Sequence, residues 1–594
     1  MIYFKTFKTY LKYLIKKKEI NIQAQSQNDL RIKYLHLFKS NFIILISIKF
    51  YFLFINLISL IFKFKKIYKL NHIISNRILN ILDKIFFVYT NKLDELLFAV
   101  ICIQDKNFNQ KSKFLRLENN KLNDKIIYDA IVIGSGPSGS ITAYNLKKKF
   151  NKVLLIDKGN AIDNYSVKHP GEEFIYKWNN AGINTTLIGN QISFSSGACL
   201  GGGSEINSGL LHYPDELFVK KWKDDFDVHD LSTQSLHDNL NSLINDNVSV
   251  SFMNQKNQKL ASQLFMDGIK KNNFKYEYLK KLESNSNNLI SKSSMIKTLI
   301  SDFINQNGDI IIKYRVDKII KEKDLWKVSG IKNKSKINFK SKYLFLCAGS
   351  IYTNKLLIQN RLCKKNDVNF FKFHPMIKVI AEYDHEVQKG HENVHNLQIT
   401  ENYPNYLVGQ AASSRQFLKF AAYGNETLQK EIDKKWKNML IYHSTFSVGK
   451  GKIYNFFLKN KFIYGYKIQK ENLIIFQDAL TNMVNVLKDS GAKKVYFIGK
   501  KIIELDKNFK DKVESELKKI SDFKISSVHI LGGVKSGESR KCIVNSFGKM
   551  KNNKNLYVND SSLINHKLLK NPQGTVMALA QRNIKNFLKD VEYS

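Results

Sequence analysis

Residues 128–139 read YDAIVIGSGPSG. The run Ala130–Ile133 is apolar without polar alternation, which suits a strand buried on both faces, and it passes at once into Gly134, Gly136 and Gly139. The stretch that follows, SITAYNLKKKF, carries Ile141 and Leu146 at helical spacing, so strand, turn and helix come in the order of a βαβ unit. Each glycine then has a purpose. One allows the tight turn, the second lets backbone approach a pyrophosphate, and the third lets helix and strand pack closely, while the free N–H groups of the helix start attract phosphate. The next apolar run, KVLLIDKG, ends on Asp157, 18 residues after Gly139, where an acid meets a ribose hydroxyl. A dinucleotide site follows, although this fingerprint alone does not separate NAD from FAD.

Working outward, 594 residues at 43% hydrophobic and 12% aromatic content fit a folded protein of two or more domains. The formal charge of +42 would suit a nucleic-acid binder, but the lysines are spread along the whole chain with no arginine-rich block and no interleaved base-stacking aromatics. Nucleic acid is therefore not an expected partner. The five cysteines (102, 199, 347, 363 and 542) are far apart, in no CxxC pair, so neither a disulfide framework nor a metal site is expected, in keeping with a reducing, cytoplasmic compartment. Residues 1–120 differ from the rest. Within them 42–62, FIILISIKFYFLFINLISLIF, is long enough to span a bilayer core; the alternatives are a helix buried against the body or one lying in the interface of a membrane facing the cytoplasm, with Lys49 snorkelling.

A second glycine-rich stretch, SSGACLGGGSEINSGLLHYP, occupies 195–214. Backbone of this kind can wrap a ligand closely or form a plain surface loop. Its core, GGGSEIN, resembles the signature of the glucose-methanol-choline oxidoreductases through Gly201, Gly202, Gly203, Ser204 and Asn207. In that family the fingerprint binds the ADP half of FAD, so the resemblance implies FAD. Where the family often has Arg before Pro, this chain has His212, Tyr213 and Pro214. Further segments resemble the family in order: a helix and two extended stretches that bring Val316 to the adenine, the KYLFLCAGS element that brings Ala348 and Gly349 to the flavin, and KFHPMIKVIAEYD, whose His374 reads as structural.

Near the end, HILGGVKSG resembles the family's H-x-x-G-G element, nearest in wording to cholesterol oxidase and long-chain alcohol oxidase types, and KNPQGTVMALAQR follows 42 residues later. Between them NLYVNDSSLI resembles the strand with an FAD-contacting acid, here Asp560. The resemblance implies that His529 and Asn571 face the flavin together as the catalytic pair, and that the helix after Asn571 and Pro572 aims its N-terminus at the ring. The chemistry agrees. Oxidising an alcohol removes a hydroxyl proton while hydride leaves carbon for flavin N5; a neutral imidazole can accept the proton and an Asn amide can fix the oxygen. Asn571 and Pro572 also read as a helix cap and first turn, which would stabilise negative charge on the reduced ring. His566 lies where the family has Pro and Gly and reads as a wall or lid residue; His169 is a residue type that could carry a covalent flavin link but reads more simply as surface.

The expected fold is α/β: a Rossmann-like FAD-binding domain in discontinuous segments, 125–214, 290–375 and 525–594, and an α+β substrate domain with an antiparallel sheet from 215–289 and 376–524. KNMLIYHSTFSVG and KFIYGYKIQKENLIIF read as extended, DALTNMVNVLKDSG as helical. The expected function is FAD-dependent oxidation of a CH–OH group in a small-molecule alcohol, lipophilic or sterol-like, with O2 or a quinone or cytochrome as acceptor. One alternative is a membrane-associated sugar or sugar-acid dehydrogenase; another is a flavin-binding protein without turnover.

Overall fold

The apolar run ahead of the glycine turn forms β1 (Ile127–Ile133), the centre of a seven-stranded sheet. This computed structural model describes residues 2–17, 42–63, 65–85, 125–162, 170–182, 184–251, 259–286, 289–389, 396–455, 462–506 and 508–592. Alternate β1 side chains enter two different apolar layers. Ala130 and Val132 pack with Ile141 and Leu146 of α1 (Pro137–Lys149) and with Ala580 and Ile584 of the C-terminal helix Gln573–Glu592; Ile131 and Ile133 pack with Trp326, Phe339 and Leu357. A strand covered on both sides in this way reads as continuously apolar. Beside β1 lie β2 (Val153–Ile156) and β3 (Asp309–Ile311), all parallel. A meander of β4 (Arg315–Glu322), β5 (Leu325–Lys332) and β6 (Ser335–Leu346) returns β6 to the other side of β1, again parallel, with Ile133 opposite Leu346. The turns after β1 and β6 therefore emerge together at the carboxyl edge, where open α/β sheets hold their ligands. The short strand Leu556–Val558 adds to β6 in parallel.

The second sheet has nine strands. Its middle is β7 (Met376–Glu382), β8 (Leu397–Ile399), β9 (Tyr406–Gln410) and β10 (Met439–Phe446), in the antiparallel order β7-β10-β9-β8, ending on Tyr276–Tyr278. One face is covered by α2 (Leu473–Asp489), whose Phe476, Leu480, Met483 and Val484 pack against Ile377, Val379 and Ala381. Over the other face the helices Arg415–Ala421 and Glu426–Lys435 lay Leu418, Leu428 and Ile432 on Ile380, Ile441 and Tyr496. Met376, on the same face of β7, lies outside that apolar cluster. Two short strands from stretches expected in the FAD-binding part, Ile192–Phe194 and Ile525–Ser527, join this sheet, and Ile530–Leu531 pairs with Phe370–Phe373 of a smaller five-stranded sheet. The two parts are thus stitched by strand exchange.

One strand reading changes. The stretch LIIF, expected as strand, opens α2 instead, because Phe476, Ala479, Leu480 and Met483 recur at helical spacing on the face that meets the sheet. In the N-terminal region, helices Ile2–Lys17, Phe42–Lys63 and His72–Ile85 share a small core of Phe7, Leu11, Leu14, Phe52 and Ile55, tied by Asn56 donating to Thr6 Oγ1 at 2.8 Å. Among the described residues no helix is long and apolar enough to cross a membrane. His169 and Cys102 lie outside the described residues.

A side chain at Gly139 tests the strand-turn-helix packing directly, because a Cβ there would sit 1.8 Å from Gly134 O. Gly139→Ala is expected to lower stability by about 1–3 kcal/mol, read from the chemical denaturation midpoint.

Candidate active site

The glycine turn is built by contact as much as by flexibility. Gly134 has φ +103°, and a Cβ on it would lie 2.3 Å from Cys347 O, so the turn after β1 is pressed onto the turn after β6. Gly136 differs: it caps α1 with no side-chain cap, and a Cβ there would meet nothing within 4 Å. The missing side chain leaves open space over a helix N-terminus, the place where N–H groups and the helix dipole favour a phosphate. Gly203 and Gly349 border equally open space. The second glycine loop lies on the first, since Gly202 approaches Gly136 and Gly201 N donates to Ser135 Oγ at 3.0 Å. Ser204 Oγ donates to Gly201 O and accepts from Met295 N, closing the loop on itself, and Asn207 is hydrogen-bonded to Gln573 at the start of the C-terminal helix.

Asp157 stands at the end of β2, buried. Its Oδ2 accepts from Ser135 N at 3.0 Å and Ser135 Oγ at 2.5 Å, and its Oδ1 from Gly159 N at 2.7 Å. In this structure the carboxylate pins the glycine turn; burial raises its pKa, against the lowering effect of those hydrogen bonds. The chain entering β4 runs alongside, Tyr314 N donating to Asp157 O, which brings half-buried Val316 to the same edge. On the other side Ala348 abuts Gly134, and Asp560 Oδ2 accepts from Gly349 N at 2.8 Å and Thr353 Oγ1 at 2.5 Å. The helix after Asn571 begins at Gln573, with Pro572 O accepting its first bond from Val576 N, one residue later than the sequence pattern suggests.

Beyond this edge four histidines gather. His529 Nδ1 faces His374 Nδ1 at 3.0 Å with the rings nearly perpendicular. His212 Nδ1 accepts from Asn571 N at 3.0 Å, and its Nε2 meets Gln398 Oε1 at 2.9 Å. His443, on β10, is the fourth. Burial pushes His529 down to about 4 and His212 and His443 down to about 3, and it holds His374 well below the usual histidine range; His529 further opposes protonation of the other three. All four are neutral at pH 7. Since one Nδ1 of the 374–529 pair must donate to the other, a proton on His529 Nδ1 leaves its Nε2 free as an acceptor. His529 owes its place to the crossing between the two sheets: Met376 pairs with Ser526 in one and Phe373 with Ile530 in the other, so two connecting residues on one side oppose three on the other. An extra residue in a ladder re-aims a side chain.

The structure thus brings His529 and Asn571 into one cluster through His212, and it draws His374, read from sequence as structural, into direct contact with His529. His212 and His443 were missed as site residues. His212 had a signal in its position after the GGGSEIN loop; His443 had none, because its neighbours in the site are cross-strand. His566 packs on Phe226 with Nδ1 3.5 Å from Asp225 Oδ2, which fits a wall residue.

Comparison with known proteins places this arrangement. Residues 128–376 and 459–580 match the N- and C-terminal family models of GMC oxidoreductases. An uncharacterised GMC-type oxidoreductase of Sinorhizobium fredii is 24% identical over 476 residues, covering 76% of this chain and 93% of its own length. A long-chain-alcohol oxidase of Arabidopsis thaliana is 34% identical over 104 residues, 17% of this chain and 13% of that protein. Among solved structures, pyridoxine 4-oxidase from Mesorbium loti superposes with a TM-score of 0.61 over 78% of this chain and 99% of its own, and a formate oxidase variant of Aspergillus oryzae with 0.59 over 79% and 100%, both at 12% identity. The chain belongs to the GMC oxidoreductase family. It is an FAD-dependent oxidoreductase, with a small-molecule substrate and an electron acceptor as its partners.

The open space over Gly136 gives a clean separation of cofactor from fold. Gly136→Ala is expected to purify with little flavin, by absorbance near 450 nm as is general for flavoproteins, yet to keep the denaturation midpoint of the flavin-free wild type.

Proposed function

We propose that the protein oxidises the CH–OH group of an alcohol, with His529 as the proton acceptor and Asn571 fixing the hydroxyl. The observation that supports this most is the meeting of a buried, neutral His529, paired with His374, and the His212–Asn571 hydrogen bond in one cluster. The FAD would be held by residues from both glycine loops. Gly134, Gly136 and Gly139 with the α1 N-terminus take the pyrophosphate, Asp157 the ribose, and Val316 the adenine. Gly201, Gly202, Gly203, Ser204 and Asn207 lie over it; Ala348, Gly349, Asp560, Asn571 and Pro572 flank the ring. Bound FAD supplies the hydride acceptor. His529 takes the hydroxyl proton on its free ring nitrogen, His374 holds that ring in place, and His212 fixes the backbone of Asn571. Burial that keeps the imidazoles neutral keeps the acceptor ready at neutral pH.

A second reading, a membrane-associated member of the family passing electrons to a quinone or cytochrome, draws on the helix Phe42–Lys63. Its Ile46, Phe50, Leu53, Leu57, Leu60 and Ile61 form an exposed apolar stripe, with Phe50 74% exposed, opposite the stripe packed on the first helix. Lys5, Lys12, Lys65 and Lys69 stand exposed on the same small unit, an arrangement suited to an anionic lipid surface. The full chain is expected to co-sediment with vesicles containing phosphatidylserine and to release in high salt, and a Phe50→Ser, Leu57→Ser variant to stay in solution; equal recovery without lipid binding by the wild type removes this reading.

Anaerobic bleaching of the flavin by a panel of alcohols tests the main reading. His529→Ala is expected to slow bleaching by about 10²- to 10⁴-fold while retaining flavin. With the wild type the bleaching rate should stay level at neutral pH and fall only as the pH drops toward about 4, where the buried His529 would gain its proton. A fall centred near the ordinary histidine value of about 6.5 would count against it.

A further inference from the structure

One row of directly opposed residues crosses the nine-stranded sheet: Lys378, His443, Gly409, Gln398 and Glu277, each the Cα partner of the next on a neighbouring strand. Opposed residues of an antiparallel sheet share a face, so these side chains stand side by side. The face is that of Ile380 and Ile441, and the apolar cluster they share with the flanking helices ends before Lys378 and His443. Gln398 is already engaged, its Oε1 on His212, which in turn holds Asn571. The row therefore leads from the proposed reaction centre across the sheet to Lys378.

Three features of the row have no role in folding or in the proton transfer above. First, Gly409 has no left-handed backbone, and a Cβ there would make only ordinary contacts, 3.8 Å from Gln398 and His443. Neither conformation nor crowding calls for glycine; what glycine leaves is room between two polar side chains. Second, His443 Nδ1 is buried without a hydrogen-bond partner. Buried polar atoms left in this way call for a ligand or water. Third, Lys378 is closely surrounded by protein yet keeps accessible surface, as a residue on the wall of a recess does. Burial, then the nearby Lys524, pull its ammonium down to about 8, and among the described residues no carboxylate pairs with it. Ser526, which pairs with Met376, adds a buried hydroxyl without a partner on the same stretch. An enclosed cation without a counter-ion is costly unless a ligand brings the opposite charge.

We propose that Lys378, His443 and the space over Gly409 form the subsite that selects the substrate, and that the substrate is a hydroxyl compound bearing a carboxylate at its far end. The ammonium of Lys378 takes the carboxylate, the neutral ring of His443 supplies a second hydrogen bond, and the connecting chain passes over Gly409 so that the CH–OH end reaches His529 and Asn571. A single carboxylate matches one ammonium beside a neutral imidazole, whereas a phosphate dianion would leave half its charge unmet. This assignment rests on the alcohol-oxidising reading for the position of the reacting end, but the charge recognition does not depend on turnover.

The test uses the flavin-loaded enzyme and two pairs of probes. Calorimetric titration compares hexanoate with hexanamide, neither of which offers an oxidisable hydroxyl. Wild type is expected to bind hexanoate at least about tenfold more tightly, the scale of one charge-assisted hydrogen bond; the ratio should fall to about one in Lys378→Met and return in Lys378→Arg, which also controls for misfolding. Anaerobic flavin reduction then compares 6-hydroxyhexanoate with hexan-1-ol. A preference for the hydroxy acid that is lost in Lys378→Met through KM with kcat unmoved, and Gly409→Leu slowing both compounds, would support the subsite. Equal affinity of wild type for hexanoate and hexanamide, or a preference unaltered in Lys378→Met, overturns it. Carboxylate binding through Lys378 with no reduction by either hydroxyl compound would uphold the anion subsite and remove the alcohol-oxidising reading instead.

Discussion

Between the pair Met376–Ser526 in the nine-stranded sheet and the pair Phe373–Ile530 in the smaller one, the two connecting segments differ in length by one residue, and His529 rides on the longer. Everything particular to the site hangs on that crossing. In an unbroken ladder the side chains of 527 to 529 would alternate between the sheet faces, with no reason for an imidazole to lean across to the other strand. With the extra residue, His529 meets His374, which the opposite connecting segment presents two residues before Met376. The strand pairings on either side lock the crossing. Ser527 Oγ donates to His529 O, and Gly532 N donates to Ser561 O, tying the stretch after His529 to the Asp560 turn. The histidine is therefore held by both halves of the molecule, and the glycine cradle and the sheet cannot shift independently without moving it.

The electrostatics of the cluster follow from what surrounds it. The main influences on the four rings are burial, one another, and the cations Lys570 near His212 and Lys378 near His443. No carboxylate figures among them. A pocket of this kind rejects a resident proton but welcomes negative charge, and an alcohol losing its proton and then its hydride generates negative charge twice, on oxygen and on the acceptor. Preorganised positive potential with neutral imidazoles suits both moments, because nothing in the site has to reorganise when that charge appears. The charge of +42 on the whole chain does not explain this; most of the lysines among the described residues lie exposed or half-buried, where solvent screens them.

How much of this could be read from residues alone depends on whether the information is local. The glycine turn was legible because Gly134, Gly136 and Gly139 are constrained by neighbours within the turn or directly beside it, and the strand before them is apolar for the simple reason that both its faces are covered. The pairing of His529 with Asn571 came from a family likeness, and the physical link between them, His212, sat in plain sight at one of the two places where the likeness failed. His374 was set aside because His-Pro usually serves structure, and nothing along the sequence reveals that a segment 155 residues later delivers a second imidazole to it. His443 and Lys378 lie in a run, IYHSTF and MIKVIA, whose alternation reads as an ordinary half-buried strand. The stretch LIIF was misread for the opposite reason: four apolar residues in a row fit a strand and a helix equally, and only the later spacing through Leu480 and Met483 decides for the helix.

The same distinction between local and non-local separates what the family shares from what this chain does with it. A cofactor as large as FAD is gripped mainly through backbone, at turns whose glycines keep side chains away, so its recognition survives drift of the surrounding sequence into lysine and asparagine. A substrate is recognised by side chains that project from a sheet, and their identity at each register position is free to change without disturbing the ladder beneath. Lys378 and His443 occupy such positions: their backbone bonds to β10 and β7 would be made by any residue. A strand interior normally gains from an apolar side chain at a covered position, worth about 1.5–3 kcal/mol when fully buried. Placing an ammonium and an imidazole there forgoes that gain, just past Ile380 and Ile441, where the apolar cluster under the flanking helices ends. The change from apolar to cationic at that boundary marks where folding stops dictating the residue and binding begins.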